Sequence, residues 1–201
     1  GGGTPSYLTS SDLADIMTSI CQSFELDPKV EISVEANPDD INHAKVEDLL
    51  GMGANRLSIG MQSFNDTLLN MLGRRHTAED AQKAFMLARE SGFQNINIDL
   101  MYGLPTQTFG QWQTTLGTAI DMAPEHISLY ALTIEDGTPM QRMVTDSVLP
   151  SPDQDLAADM YYWSWDILSN EKYYHYEISN WALPGFQSDH NMTYWKNGQY
   201  L

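Results

Sequence analysis

Hydrophobic and polar residues alternate along this chain with two different periods. Apolar side chains recur at every second position in four segments, residues 30–38, 56–64, 95–105 and 126–133. Four other segments have helical spacing, at residues 10–24, about 42–50, 77–92 and 108–122. Parallel strands require helical crossovers of this kind, whereas antiparallel hairpins do not. The pattern therefore predicts an α/β fold built from repeated βα units.

Each predicted strand has one apolar face and one polar face. Strands that are covered by helices on both sides are apolar throughout, so this pattern favours a barrel or partial barrel whose polar inner face surrounds a ligand. An antiparallel sheet with one face in water would give the same alternation, but the intervening helices argue against it. The polar faces carry these side chains: Glu31, Ser33, Glu35, Arg56, Ser58, Gln62, Asn95, Asn97, Asp99, His126, Ser128 and Tyr130.

Three of these polar residues, Glu35, Gln62 and Asp99, fall at the carboxyl ends of the predicted strands. Barrels built from βα units carry their chemistry at that end. The chain opens on the segment GGGTP, whose exposed backbone N–H groups suit a ligand carboxylate. We expect this segment and the three side chains to form one ligand-binding rim. The competing interpretation is structural, with the carboxylates in ion pairs and the glycines in plain turns.

Composition and charge limit the classes of function. The formal net charge is −17 with ten Lys and Arg residues, which argues against nucleic-acid binding because that depends on neutralising phosphates. No apolar run reaches the roughly 18 to 20 residues that span a bilayer, and no signal peptide is recognisable. Cys21 is the one cysteine, so no internal disulfide framework exists. We expect a cytoplasmic protein that binds small molecules.

The strand and helix alternation stops after Thr133. Residues 1–140 are predicted to form the barrel domain and residues 141–152, which are rich in turn formers, a linker. From residue 153 a helical pattern is followed by the aromatic stretch YYHYEISNWALPG. We predict that residues 153–201 begin a small α+β accessory domain.

Nine segments of the sequence resemble one family in their order and spacing. GGGTPSYL, EANP, NRLSIGMQSFND, LGRRH, NIDLMYGLPTQT and HISLYAL resemble the radical S-adenosylmethionine (SAM) family of oxygen-independent coproporphyrinogen III oxidases and their relatives. EDGTPM, YEISNWALPG and HNMTYW resemble its haem chaperone (HemW) branch. The resemblance covers nearly the whole chain. It implies a partial (β/α)6 barrel that holds SAM across the strand ends, with the C-terminal region covering the barrel mouth.

The resemblance also implies which residues contact SAM. A sulfonium cation with an ammonium group suits carboxylates, and ribose hydroxyls suit Asp and Gln. For Arg74 a structural role is an alternative, because the pair Arg74 and Arg75 follows a predicted helix and could serve as its solvated C-terminal cap. The matching positions are Gly2, Gly3 and Thr4 at the methionine part of SAM, and Glu35, Gln62, Arg74 and Asp99 elsewhere on the cofactor.

One departure from the family concerns its 4Fe-4S cluster. The family holds the cluster on three cysteines spaced C-x3-C-x2-C, upstream of the GGGTP segment, and this sequence has no such motif. Cys21 falls inside a predicted helix beside its apolar stripe, so it is predicted to be a buried core residue. We therefore expect the chain to be a fragment cut at its N-terminus, from a protein that also continues beyond Leu201. Without the cluster this fragment is expected not to cleave SAM reductively.

The motif HNMTYW at residues 190–195 is the clearest candidate for a second ligand. In the haem chaperone branch a motif of the form HN-x2-YW is associated with haem binding, which makes His190 the implied axial ligand. The competing interpretation is a histidine that makes structural hydrogen bonds beneath an aromatic cluster. His126 and His175 are interpreted as packing or surface residues.

Three functions compete for the whole chain. The first is a haem chaperone that binds haem and passes it to apoproteins; HNMTYW and YEISNWALPG favour it. The second is an oxygen-independent coproporphyrinogen III oxidase, which shares the barrel. The third is an unrelated barrel that binds a small metabolite, and each additional matching motif weakens it.

Overall fold

A computed structural model of the protein describes residues 4–199. Within these residues six strands form one sheet in the order β1-β2-β3-β4-β6-β5, and the first four strands are parallel. The strands are β1 Ser33–Ala36, β2 Arg56–Gln62, β3 Ile96–Tyr102, β4 His126–Ala131, β5 Tyr174–Glu177 and β6 Asn180–Ala182.

Eight α-helices accompany the sheet within the same residues, and no helix among them is both long and apolar enough to cross a bilayer. They are α1 Ser10–Ser23, α2 His43–Gly51, α3 Asp66–Met71, α4 Ala78–Ser91, α5 Phe109–Asp121, α6 Pro139–Thr145, α7 Gln154–Asn170 and α8 Asp189–Trp195. The predicted α/β fold with alternating strands and helices is confirmed.

Local sequence signals set the helix ends. Thr9 and Thr77 each form a capping box with the Asp three residues later, at the starts of α1 and α4. Gly92 ends α4 with a φ of +122°, which favours glycine. The sequence Ser-Phe-Asn-Asp at residues 63–66 is typical of a turn, but it leads into the short helix α3. Asn65 is instead its N-cap, and its side chain accepts a hydrogen bond from the Leu68 N–H at 3.1 Å.

The apolar faces of the parallel strands form the core, as the alternation predicted. The side chains of Leu57, Ile59, Ile98 and Ile127 are completely buried. Helices α2, α4 and α5 connect consecutive parallel strands, and Phe85 of α4 is part of the same buried cluster. Burial of the apolar face against helices leaves the polar face on the other side of the sheet.

Helix α1 departs from its prediction. Leu13 is buried, but Ile16 and Phe24 of the same stripe are about half exposed. Cys21 is exposed, so the prediction of a buried core cysteine is wrong. At 3.6 residues per turn, Cys21 lies about 80° around the helix from Leu13, which turns it away from the core.

The C-terminal region belongs to the same sheet and core as the βα units. Strand β6 pairs with β4 antiparallel, and β5 pairs with β6. The buried Nε1 of Trp112 on α5 donates to Ser164 Oγ on α7 at 2.8 Å, and Trp181 of β6 is fully buried in the common cluster. Helix α6 spans the proposed boundary at residue 140. The division into domains at residues 140 and 153 stays a prediction.

The shared core makes α5 and α7 dependent on each other. Replacing Trp112 by Phe removes buried volume and the hydrogen bond to Ser164, so Trp112→Phe is expected to lower the free energy of unfolding by about 2 kcal/mol. Denaturant unfolding followed by circular dichroism measures it. Tyr162→Phe on the exposed side of α7 is the matched control, with an expected effect below about 0.5 kcal/mol. Equal effects of the two changes would contradict a common core.

Candidate functional site

The polar faces of the parallel strands line one large cavity. Its volume is about 1700 Å³, above the roughly 300 to 1000 Å³ typical of a site for one small ligand. Four of the predicted cofactor residues, Thr4, Glu35, Gln62 and Asp99, contribute to its lining. Gly2 and Gly3 lie outside the described residues. The cavity has room for more than one small molecule.

Strand register explains why these side chains meet. Glu35 pairs with Ser58, and Ser58 pairs with Asn97, in parallel register. Side chains on paired residues of a parallel sheet point to the same face. Asp99 lies two residues beyond Asn97 and is aligned with Ser128 of β4. The polar positions therefore form rows across the inner face of the sheet.

Gln62 reaches the cavity through an irregularity at the end of β2. The register with β3 shifts between Ile59 and Gln62, and Gln62 has a φ of +67°. A Cβ at Gly60 would lie 2.9 Å from Gln62 Nε2, so the glycine provides the space for this side chain. A bulge of this kind re-aims a side chain next to a site.

Asp99 is a half-buried acid of the inner face. Its two carboxylate oxygens accept hydrogen bonds from Ser58 Oγ at 2.9 Å and Asn97 Nδ2 at 2.8 Å. Burial raises the pKa of Asp99 above its ordinary value, and the hydrogen bonds from Ser58 and Asn97 work in the opposite direction. The carboxylate is therefore fixed in orientation and only partly compensated within the protein.

Arg56 is a buried cation in the same cavity that sequence reasoning did not single out. Its side chain is 7% exposed, and Nη1 donates to Ser33 Oγ at 3.0 Å. Its Nε lies 3.8 Å from Glu31 Oε2 and has no hydrogen-bond partner among the described residues. Its position on the polar face was the available signal, since a charged residue there must face the interior.

Tyr130 adds an aromatic side chain to the lining. It continues the polar face of β4 beyond Ser128 and lies toward the carboxyl end of the strand. Burial, followed by the charge of Asp99, raises the pKa of its phenol to about 12. The phenol therefore remains neutral at physiological pH and can donate a hydrogen bond.

His126 is completely buried and belongs to a polar network. Its Nδ1 lies 2.6 Å from Asn97 Oδ1, and its Nε2 lies 2.7 Å from the hydroxyl oxygen of Tyr176. Burial, with a smaller contribution from the charge of Arg56, lowers the pKa of His126 well below its ordinary value. The imidazole is therefore neutral at physiological pH.

Arg74 is half-buried and lies outside the lining of the cavity. Burial lowers the pKa of its guanidinium, whereas the charges of Asp39 and Asp99 raise it. Its neighbour Arg75 is exposed and pairs with Asp39 at 2.9 Å. The structure therefore does not bring Arg74 together with the other predicted cofactor residues in the cavity lining.

His190 lines the same cavity from helix α8. Its ring is exposed and meets Tyr194 edge-on, with ring centroids 4.9 Å apart. The start of α8 contacts Glu31, whose carboxylate faces Ser188 Oγ and Asp189 N at 3.3 and 3.4 Å. Glu31 precedes β1, so α8 approaches from the amino-terminal side of the parallel strands. The expectation that the C-terminal region covers the barrel mouth stays a prediction.

The described residues include no group of three or more His, Cys, Asp or Glu side chains placed to hold a metal ion. The whole sequence has one cysteine, whereas a 4Fe-4S cluster is held by several cysteine thiolates. This chain therefore does not supply the ligands of such a cluster.

A family comparison matches the radical SAM superfamily over residues 1–119. The chain is 40% identical over 200 residues to the haem chaperone HemW of Lactococcus lactis, covering 100% of this chain and 53% of that protein. It is 39% identical over 201 residues to the mitochondrial radical S-adenosyl methionine domain-containing protein 1 of Bos taurus, covering 100% of this chain and 46% of that protein. The chain spans about half the length of the curated relatives it matches.

A solved structure shares the fold. Coproporphyrinogen III oxidase (HemN) from Escherichia coli, described as a radical SAM enzyme, superimposes with a TM-score of 0.82 at 29% identity. The match covers 98% of this chain and 44% of that one.

The environment of His126 predicts a pH-dependent stability. Its folded pKa is depressed, so below about pH 6.5 the unfolded chain takes up a proton that the folded chain does not. Stability is then lost as the pH falls, by up to about 1.4 kcal/mol per unit. His126→Gln removes this titration, so its deficit relative to wild type should shrink between pH 7.5 and 5.5 in denaturant unfolding. His43→Gln is the control for the replacement of a histidine at an exposed position. A deficit of His126→Gln that does not change with pH would refute the assignment.

The environment of Asp99 predicts that its ionised carboxylate lowers the stability of the protein at neutral pH. Its pKa is raised in the folded state, so the folded chain holds a proton that the unfolded chain releases, and stability declines as the pH rises above about 4. Asp99→Asn should therefore keep or increase the unfolding temperature at pH 7.5 and lose this advantage near pH 4. A large loss of stability at pH 7.5 would show that the ionised carboxylate is structurally required.

Proposed function

The chain belongs to the radical SAM superfamily, and on this premise we propose that it acts as a haem chaperone of the HemW type. The observation that carries the proposal is the HNMTYW motif on a helix that borders the cavity. The likeness to a haem chaperone over the full length of this chain supports it. The chaperone binds haem and transfers it to apoproteins, which are its macromolecular partners.

The proposed SAM site uses the rim of the cavity. Glu35 and Asp99 offer carboxylates for the ammonium group and the ribose hydroxyls, and Gln62 offers an amide to the same ligand. Thr4 lines the cavity, and we assign it, with the sequence positions Gly2 and Gly3, to the methionine part of SAM. Arg74 supplies a positive charge for the SAM carboxylate. The partly compensated charge of Asp99 fits a hydroxylated and cationic ligand.

The proposed 4Fe-4S cluster takes its ligands from outside this chain. When bound beside SAM, such a cluster supplies the electron for reductive cleavage. The residues described here bind and orient the cofactor, and the acidic lining compensates its positive charge.

The proposed haem site centres on His190. An imidazole nitrogen is a common axial ligand of haem iron, and the exposed ring is free to approach a planar ligand from the cavity. Tyr194 and Trp195 present exposed aromatic surface on the same helix, suited to packing against a porphyrin. Lys196 follows the motif directly and provides a cation for a propionate.

A second candidate function is that of an oxygen-independent coproporphyrinogen III oxidase. The close superposition on an oxidase of this superfamily favours it. The cavity volume is compatible with a porphyrinogen beside SAM. Because both functions use the same barrel, the distinction depends on the HNMTYW helix and on chemistry. In either case we propose a cytoplasmic location.

Loss of the Asp99 carboxylate should weaken the binding of SAM. A hydrogen bond to a charged group contributes about 1.5 to 3 kcal/mol, so Asp99→Asn in the complete protein should lower SAM affinity by roughly 10- to 150-fold. Isothermal titration with SAM measures this. Asp166→Asn, at an exposed acid on α7, is the control for net charge. Unchanged SAM affinity in Asp99→Asn would remove Asp99 from the site.

Removal of the imidazole at position 190 should weaken haem binding. Haem titration of the complete protein, followed by the Soret band, should show a lower affinity and a changed band for His190→Ala. His43→Ala replaces another exposed histidine and should bind haem like the wild type. Both variants must keep the wild-type unfolding transition. Equal affinity and an unchanged band in His190→Ala would show that the ligand lies elsewhere. A wild-type protein that ignores haem and, with its cluster restored, converts coproporphyrinogen III would establish the oxidase instead.

A further inference from the structure

Helix α8 is attached to the protein by polar contacts. None of its seven residues is buried, and a helix of this length is not stable by itself in water. Its amino-terminal end contacts the hydroxyl of Tyr176, which accepts from Ser188 N–H at 3.3 Å and Asn191 Nδ2 at 3.5 Å. Glu31 provides a second anchor at the same end, and Trp195 Nε1 donates to Glu177 at the other. The position of α8 therefore depends on a few hydrogen bonds.

The hydrogen bonds behind Tyr176 have a determined direction. Asn97 Nδ2 donates to the Asp99 carboxylate, which fixes Asn97 Oδ1 as an acceptor. His126 Nδ1 must then donate to that oxygen at 2.6 Å. A neutral imidazole has one donor and one acceptor, so its Nε2 accepts the proton of the Tyr176 hydroxyl at 2.7 Å. The hydroxyl oxygen is left to accept from helix α8.

This chain of contacts connects the two predicted ligand positions. It begins at Asp99, assigned to SAM, and passes through the side chains of Asn97, His126 and Tyr176. It ends at Ser188, the N-cap of α8, two residues before His190. His126 is completely buried and Asn97 is 2% exposed, so water does not compete for the inner links.

We propose that Tyr176 and His126 are positioning residues that hold the amino-terminal end of α8, and with it His190, at the cavity. Tyr176 supplies the acceptor for α8, and His126 orients the Tyr176 hydroxyl. The significance for haem ligation rests on the proposed function. The attachment of α8 itself does not.

The test uses the complete protein and the variant Tyr176→Phe, which removes one hydroxyl and keeps the ring. Hydrogen exchange followed by mass spectrometry compares peptides of residues 186–199 with peptides of the parallel strands. The Tyr176→Phe variant should show faster exchange in α8, by roughly five-fold for each hydrogen bond to the hydroxyl that is lost, with the strands unchanged. Tyr174→Phe changes an exposed tyrosine of the same strand and should leave α8 as in the wild type. Unchanged exchange in α8, or an equal increase throughout the protein, would overturn the proposal.

A second measurement separates this proposal from the function on which it builds. In haem-loaded protein, Tyr176→Phe should reduce the fraction of iron with a histidine-ligated spectrum, whereas Tyr174→Phe should not. If wild-type protein shows no ligation by His190, the haem function fails, and the exchange experiment still decides whether Tyr176 holds α8. If His190 does ligate haem and Tyr176→Phe alters neither exchange nor spectrum, the positioning role is wrong and the haem function stands.

Discussion

The structure depends on the requirement that polar groups inside the partial barrel have partners. An unpaired amide or hydroxyl in an apolar interior costs roughly 1 to 3 kcal/mol as judged from protein mutants, and an unpaired charge costs more. Asp99 meets the requirement through Ser58 and Asn97, and Asn97 in turn is satisfied by His126 and Ser128. Ser58, Asn97, Asp99, His126 and Ser128 therefore form one connected hydrogen-bond network across β2 to β4.

The cavity has polar side chains at both ends of the parallel strands. At the carboxyl-end side the cavity is lined by Glu35, Gln62 and Asp99, and the two carboxylates suit a cationic ligand. On the amino-terminal side the network reaches Tyr176, which together with Glu31 contacts the start of the helix that carries His190. The apolar faces of the strands and the helices α4 and α5 keep this arrangement rigid from outside. A ligand at either end therefore meets side chains whose orientation is set by the interior.

Much of the architecture followed from local sequence. Alternation alone placed Glu35 and Asp99 on a common inner face, because side-chain direction has a period of two in every strand. The start of helix α4 could be predicted as well, because the N-cap Thr77 and its capping partner Asp80 are only three residues apart. Gln62 lines the cavity because of a register shift between β2 and β3, and the alternation of side chains along β2 does not reveal that shift.

The features that could not be predicted from the sequence are contacts between residues that are far apart along the chain. Tyr176 and His126 are 50 residues apart, and neither carries a local sign that they share a hydrogen bond. The pairing of β6 with β4 likewise joins segments separated by a long helix. Cys21 was misplaced because an apolar stripe shows which side of a helix packs, but not how much of that side the neighbouring elements cover.

We propose that SAM binds on the inner polar face of this sheet. The most direct measurement is an experimental structure of the complete, cluster-loaded protein with SAM bound. We expect polar atoms of SAM within about 3.2 Å of the Asp99 carboxylate and the Gln62 amide, on the same face of the sheet as Glu35. SAM bound outside this cavity, or an Asp99 carboxylate without contact to SAM, would refute this assignment.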